Sequence, residues 1–202
     1  MNSMNIVNVA AVVICLGMLT IYAVAARTHF VSPEGVPARM RLIAALFLLF
    51  GAANARVLAG TAIDLTSLMP GIILHGGAAW LFFLAVRANR ARRLSVAFTT
   101  DVPEHLVSSG PYRYIRHPFY TSYCLTWLAS AVVAHSVLLL ASFVCMTRLS
   151  RWAARFEERK FSESGLASVY RRYRANTGMF IPSFRTMWRD IQASSEVRQD
   201  VA

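Results

Sequence analysis

A chain of 202 residues that is 56% hydrophobic and only 15% charged, with 21 Lys and Arg against 10 Asp and Glu for a net charge of +11, lacks the balance of a water-soluble domain. Its cysteines, Cys15, Cys124 and Cys145, show no CxxC or CxxH spacing, so neither a disulfide framework nor a zinc site is indicated and no metal is expected. The excess of basic residues is assigned to anionic lipid headgroups, at about 1 kcal/mol per residue near the surface, rather than to nucleic acid.

In chain order, residues 6–26, residues 42–60 (broken only by Arg56) and residues 68–86 form runs close to the roughly 20 residues that a membrane-crossing helix needs. The first run is read as a retained span: no Lys or Arg precedes it, and it exceeds the roughly 7–15 residues of a secretory-signal core. A fourth stretch, Phe119 to Thr147, has no Asp, Glu, Lys or Arg. It is too long for one ordinary span and short for two, unless both helices run into the flanking polar sequence.

The charges choose between these. Arg27, Arg39 and Arg41 follow the first run; Arg87, Arg90, Arg92, Arg93, Arg113 and Arg116 follow the third; and the tail after Arg148 is Arg-rich. The N-terminus and the loop around Asp64 have no basic residue. The positive-inside tendency then predicts an N-terminus outside and a C-terminus in the cytosol, with the fourth stretch turning back as a hairpin near His135 and Ser136. The expected fold is an all-α integral membrane protein with five transmembrane helices (about 6–26, 42–60, 68–86, 118–134 and 136–156), the last two a helical hairpin. A C-terminal amphipathic cytosolic helix completes a single domain over residues 1–190, and residues 191–202 read as a polar tail. The expected location is a bacterial inner membrane, crossed several times.

"GPYRYIRHPFY", residues 110–120, is the cytosolic lead-in to the fourth helix. Gly110-Pro111 reads as a turn. Pro118 suits a first helical position, where its missing N–H would be unpaired anyway. Arg116 and His117 then sit at a helix N-terminus, which favours an anion. Positive side chains there oppose the dipole unless something negative joins them.

After the hairpin, "RWAARFEERKF" places Glu157 and Glu158 near a helix C-terminus, where the dipole disfavours acids. In "GLASVYRRYRANTGMFIP", Leu166, Val169, Tyr170 and Tyr173 fall at i, i+3, i+4, i+7, predicting an amphipathic helix on the inner membrane surface, stopped by Gly178 and Pro182. Both cationic and anionic side chains thus gather at the inner face among tyrosines.

"LVSSGPYRYIRHPFY", the EE pair, the YxxY helix and "TGMFIP" together resemble the isoprenylcysteine carboxyl methyltransferase and phospholipid methyltransferase family of integral membrane enzymes. The resemblance covers residues 104–123 and 151–182. It implies S-adenosylmethionine as cofactor, held by Glu104, His105, Leu106, Val107, Tyr112, His117, Pro118, Phe119, Tyr120 and Glu157. It also implies a lipophilic small-molecule or lipid acceptor bearing a carboxylate, amine or thiol, taken from the surrounding membrane lipids. Arg116 or Arg155 would orient a carboxylate; Glu158 is the candidate base for an amine or thiol. The Arg that the prenylcysteine enzymes carry four residues before the first Glu is Ala153 here, flanked by Arg151 and Arg155.

Blander readings stand beside these. Arg113 and Arg116 have a second reading as interfacial anchors, which the attached His-Pro-x-Tyr and the GP turn disfavour, and Glu157 and Glu158 one as solvated partners of Lys160 and Arg155. Arg56, Asn54, His75 and His135 read as structural. Two rival functions are a sterol-type reductase using NADPH, since RHPxY alone occurs there in related form, and a non-enzymatic protein binding anionic lipid.

Overall fold

The computed structural model describes residues 5–31, 36–89, 94–95, 102–103 and 105–199. Helices α1 (Ile6–His29), α2 (Ala38–Gly60), α3 (Leu65–Ala88), α4 (Pro118–Ala134) and α5 (Val137–Ser162) form the body, followed by two shorter helices, α6 (Ala167–Asn176) and α7 (Phe184–Gln199). Of these, α1, α2, α3 and α5 are long and apolar enough to cross a membrane. Their exposed residues are themselves apolar, among them Leu48, Leu49, Ile73 and Trp80, as expected of helices that hide backbone polarity from lipid and need no polar face. α4 has 17 residues, a rise of about 25 Å.

The helix boundaries follow local chemistry. Asp64 caps α3, accepting from the Ser67 N–H at 2.7 Å. Pro118 opens α4. The link between α4 and α5 falls on His135 and Ser136, as the sequence predicts: His135 is left-handed (φ 47°) and Ser136 caps α5. Cys124 meets Thr147 and Tyr120 meets Glu157, so the two helices run antiparallel. At Gly71, an added Cβ would lie 2.0 Å from Val133 Cγ2, so α3 and α4 approach more closely than any other residue permits there.

α4 is the innermost helix; Ser122, Thr126, Trp127, Ala129 and Ser130 along it are all at most 1% exposed. Its Ser122 and Thr126 hydroxyl groups are paired across the bundle, while the Trp127 indole N–H has no partner among the described residues. The Tyr22 hydroxyl of α1 hydrogen-bonds with Ser122 Oγ (2.8 Å) and Thr126 Oγ1 (2.7 Å), and Ser122 Oγ donates to the Ala78 carbonyl of α3. Tyr22, Phe47, Phe82 and Tyr123 pack edge-on or tilted around this network. Among the residues read as structural, Asn54 donates to the Phe50 carbonyl and Ser142 Oγ, His75 Nδ1 is 2.9 Å from the Gly71 carbonyl, and His135 Nε2 is 3.1 Å from Ser67 Oγ.

At the other end the backbone closes on itself. Phe30–Val31 pair in parallel with Leu94–Ser95, tying the end of α1 to the segment after α3. Residues 178–183 run beside 114–117: Arg116 N–H donates to the Gly178 carbonyl (2.8 Å), His117 N–H to Met179, and Gly178 and Ser183 N–H both to Tyr114. Gly178 is required, since a Cβ would lie 1.8 Å from the Ile181 carbonyl oxygen.

Two expectations change. Residues 191–199, read as a polar tail, continue α7, whose Asp190 accepts from Arg113 (2.5 Å) and the Tyr114 hydroxyl (2.9 Å). Two of the four residues on the apolar face of α6 pack on protein, while Val169 stays exposed. Tyr170 is 4% exposed and stacks on Phe161 at 5.0 Å, and Tyr173 donates to the Tyr112 carbonyl at 2.7 Å. Those tyrosines turn inward because protein, not lipid, offers them ring and carbonyl partners.

Candidate active site

The hairpin solves the problem that each of its ends poses alone. Arg116 and His117 stand at the N-terminus of α4, where cations oppose the dipole, and Glu157 and Glu158 near the C-terminus of α5, where acids do. Antiparallel pairing brings the four together. Arg116 Nε donates to Glu158 Oε1 at 2.7 Å, and His117 Nε2 lies 3.2 Å from the same oxygen. His117 Nδ1 lies 3.5 Å from Glu157 Oε2, while the Tyr120 hydroxyl donates to Glu157 Oε1 at 2.6 Å. Arg116 Nη1 also donates to the Thr177 carbonyl, and Arg174 Nε of α6 lies 3.9 Å from Glu158 Oε2.

The adjacent acids differ sharply. Glu158 has 6% of its side chain exposed, Glu157 31%. Neighbours on a helix are about 100° apart, so one is turned inward to the arginine and the other toward open space. Burial works against a charged His117, yet the hydrogen bonds and charges of Glu157 and Glu158 outweigh it and push the imidazole above its ordinary value. Burial pushes the Tyr112 and Tyr173 phenols up, keeping both neutral.

Above this cluster lies a cavity of about 210 Å³. Its wall includes His105, Leu106, Val107, Tyr112, His117, Pro118, Phe119, Tyr120 and Glu157, which the sequence grouped together, and Arg116. Glu104 lies outside the described residues. Arg155 is exposed on α5 and, like Glu158, is not part of the wall. Both were expected at the acceptor. Glu158 is held by Arg116 and His117, and Arg155, one turn earlier on α5, is exposed.

Sequence reasoning missed Ala26, Met40, Asn89, Tyr123 and Phe161, which complete the lining from α1, α2, the end of α3, α4 and α5. Tyr170 and Tyr173, assigned to the membrane surface, belong to it as well. The ends of the five long helices therefore converge on one cavity. Among the described residues, no group of His, Cys, Asp or Glu could hold a metal ion.

Comparison with protein-family models matches residues 66–169, just over half of the chain, to the phospholipid methyltransferase family. The chain belongs to that family. The match runs from the start of α3 into α6 and so contains both the RHPFY segment and the Glu157-Glu158 pair. A phospholipid methyltransferase is a membrane-associated transferase, which fits the four long apolar helices. No curated protein and no solved structure matches the chain.

Proposed function

We propose that the protein transfers a methyl group from S-adenosylmethionine to a lipophilic acceptor at the cytosolic face of a membrane. One observation carries the reading: residues that share a family signature but come from distant parts of the chain line one cavity, with a carboxylate and a ring of tyrosines facing inward.

The residues present fit the cofactor. Aromatic faces attract a sulfonium, and Tyr112, Tyr120 and Tyr123 supply them. Glu157, the more exposed of the two acids, is placed to accept from an ammonium or a ribose hydroxyl. Asn89 Oδ1, in the wall, is buried with no hydrogen-bond partner among the described residues, an acceptor waiting for a donor. Bound S-adenosylmethionine would supply an electrophilic methyl on its sulfonium.

The chain's own contribution is alignment and exclusion of water, the main needs of an in-line displacement. Glu158 fixes Arg116 and His117; His117 and Tyr120 fix Glu157; Tyr173 and Tyr170 of α6 cover the cavity. Both ring nitrogens of His117 face carboxylates, so His117 holds Glu157 in place rather than receiving a ligand's carboxylate.

The topology that goes with this reading has five spans, N-terminus outside and C-terminus cytosolic. α4 is the shortest crossing, about 25 Å against a hydrocarbon core of about 30 Å, so on this reading the cavity at its N-terminus sits at the edge of the hydrocarbon core. A lipid-type acceptor then reaches it without leaving the bilayer. Arg27, Arg39, Arg41, Arg87 and Arg113 lie at the same end, as the positive-inside tendency asks.

The family match speaks against the sterol-type reductase and the non-catalytic lipid binder. Calorimetry on detergent-solubilised protein separates them. S-adenosylhomocysteine should bind and NADPH should not; the reverse, or binding of neither, would overturn the reading.

A further inference from the structure

Asn89 ends α3. Its backbone N–H closes the helix on Ala85 and Val86, and its side-chain Nδ2 donates both to the Ala85 carbonyl (2.7 Å) and to the Tyr112 hydroxyl (2.8 Å). With both amide hydrogens engaged, the amide cannot flip, and its Oδ1 can only accept. That oxygen is the unusual feature: the residue is 7% exposed, lines the cavity, and its Oδ1 has no partner among the described residues. Most buried polar atoms in folded proteins are paired, so an orphan on a cavity wall marks where a ligand's donor belongs.

The neighbourhood limits what the donor is. Leu106, Val107 and the Tyr112 ring are uncharged and largely apolar, whereas Arg116, His117 and Glu157 gather the charged groups of the wall. A cationic ammonium finds its counter-charge at Glu157, on the same wall, which leaves the neutral Asn89 acceptor for a neutral donor. A flat, neutral, aromatic ring carrying an N–H donor suits both the apolar wall and the fixed acceptor.

We propose that Asn89 reads the base of the methyl donor, accepting through Oδ1 a hydrogen bond from the exocyclic amine of adenine. This rests on the S-adenosylmethionine reading above. Tyr112 takes a second part here, holding the amide in the accepting orientation.

The test compares S-adenosylhomocysteine with S-inosylhomocysteine, in which a carbonyl oxygen replaces the amine and would face Asn89 Oδ1 acceptor to acceptor. Calorimetry on the full-length, detergent-solubilised protein should show the adenine ligand binding at least about tenfold more tightly, because a buried polar group left unpaired penalises the wrong partner. In Asn89→Leu, checked for folding by its melting curve, the preference should fall to near unity. Equal affinities in the wild-type protein, a comparison that needs no variant, would overturn the proposal, as would a full preference retained in Asn89→Leu. If S-adenosylhomocysteine binds without preference, only the role of Asn89 falls. If neither ligand binds, the cofactor reading falls with it.

Discussion

Replacing Glu158 by Gln should destabilise the protein, whereas the same change at Glu157 should chiefly weaken ligand binding. Glu158 is 6% exposed and takes two charge-assisted hydrogen bonds, from Arg116 at 2.7 Å and from His117 at 3.2 Å. Each such bond contributes about 1.5–3 kcal/mol. The longer bond counts at the lower end, and Gln keeps a carbonyl that accepts from Arg116, so the net cost is about 2–3 kcal/mol. Arg116, itself 10% exposed, would be left without its counter-ion. For a chain of this size that lowers the melting temperature by roughly 4–12 °C. Glu157 is 31% exposed and receives one short bond, from Tyr120, so Glu157→Gln should cost under about 1 kcal/mol in stability but raise the dissociation constant for S-adenosylhomocysteine. Differential scanning fluorimetry in detergent, paired with calorimetry, reads both quantities. An unchanged melting temperature in Glu158→Gln, or equal losses of stability in the two variants, would refute the division between a structural and a ligand-facing acid.

His117 is raised above its ordinary value by the two glutamates despite its burial, so its contribution to stability is complete below about pH 6.5 and is lost as pH rises through the raised value. The gap in melting temperature between wild type and His117→Gln should therefore shrink from pH 6 toward alkaline pH, and a gap that grows would reverse the sign of the argument. Gly178→Ala should cost about 2 kcal/mol through the overlap of its Cβ with the Ile181 carbonyl oxygen and loosen ligand binding, because the turn that docks residues 178–183 on Tyr114 must open; a variant melting like wild type would show that turn to be free to adjust. For the topology, cysteines introduced at Ser109 and Ala193 should label from one side of the membrane and a cysteine at Asn5 from the other. Labelling of Ser109 and Ala193 positions from opposite sides would remove the hairpin as a pair of crossings.

What could be read from the sequence was local. Pro118 at a first helical position and the hairpin turn near His135 and Ser136 follow from the chemistry of neighbouring residues and are found where they are expected; the left-handed His135 and the Ser136 cap were not foreseen. The part of the cavity wall between His105 and Tyr120, with Glu157, could be grouped through the family resemblance; the part supplied by Ala26, Met40, Asn89, Tyr123 and Phe161 could not. Helical phase in three dimensions was not legible. Nothing in "FEERK" says that Glu158 rather than Glu157 meets Arg116, because the answer lies in the segment ahead of α4, 42 residues upstream. Tyr170 and Tyr173 gave an amphipathic period that fits a membrane surface as well as a protein one, and only the partners Phe161 and Tyr112 decide it. Asn89 carried no signal beyond that of a polar residue after an apolar run. Its orphaned oxygen exists only because Ala85 and Tyr112 have claimed the rest of the amide.

The central claim is methyl transfer at this cavity, and incorporation of label tests it most directly. The protein, reconstituted with total membrane lipid and supplied with S-adenosylmethionine tritiated on the methyl group, should pass the label into the lipid-extractable fraction, at a rate that falls in Glu157→Gln and Tyr120→Ala. Label that enters no lipid from any fraction, although S-adenosylhomocysteine binds, would contradict a lipophilic acceptor. Transfer that persists undiminished in both variants would contradict the site.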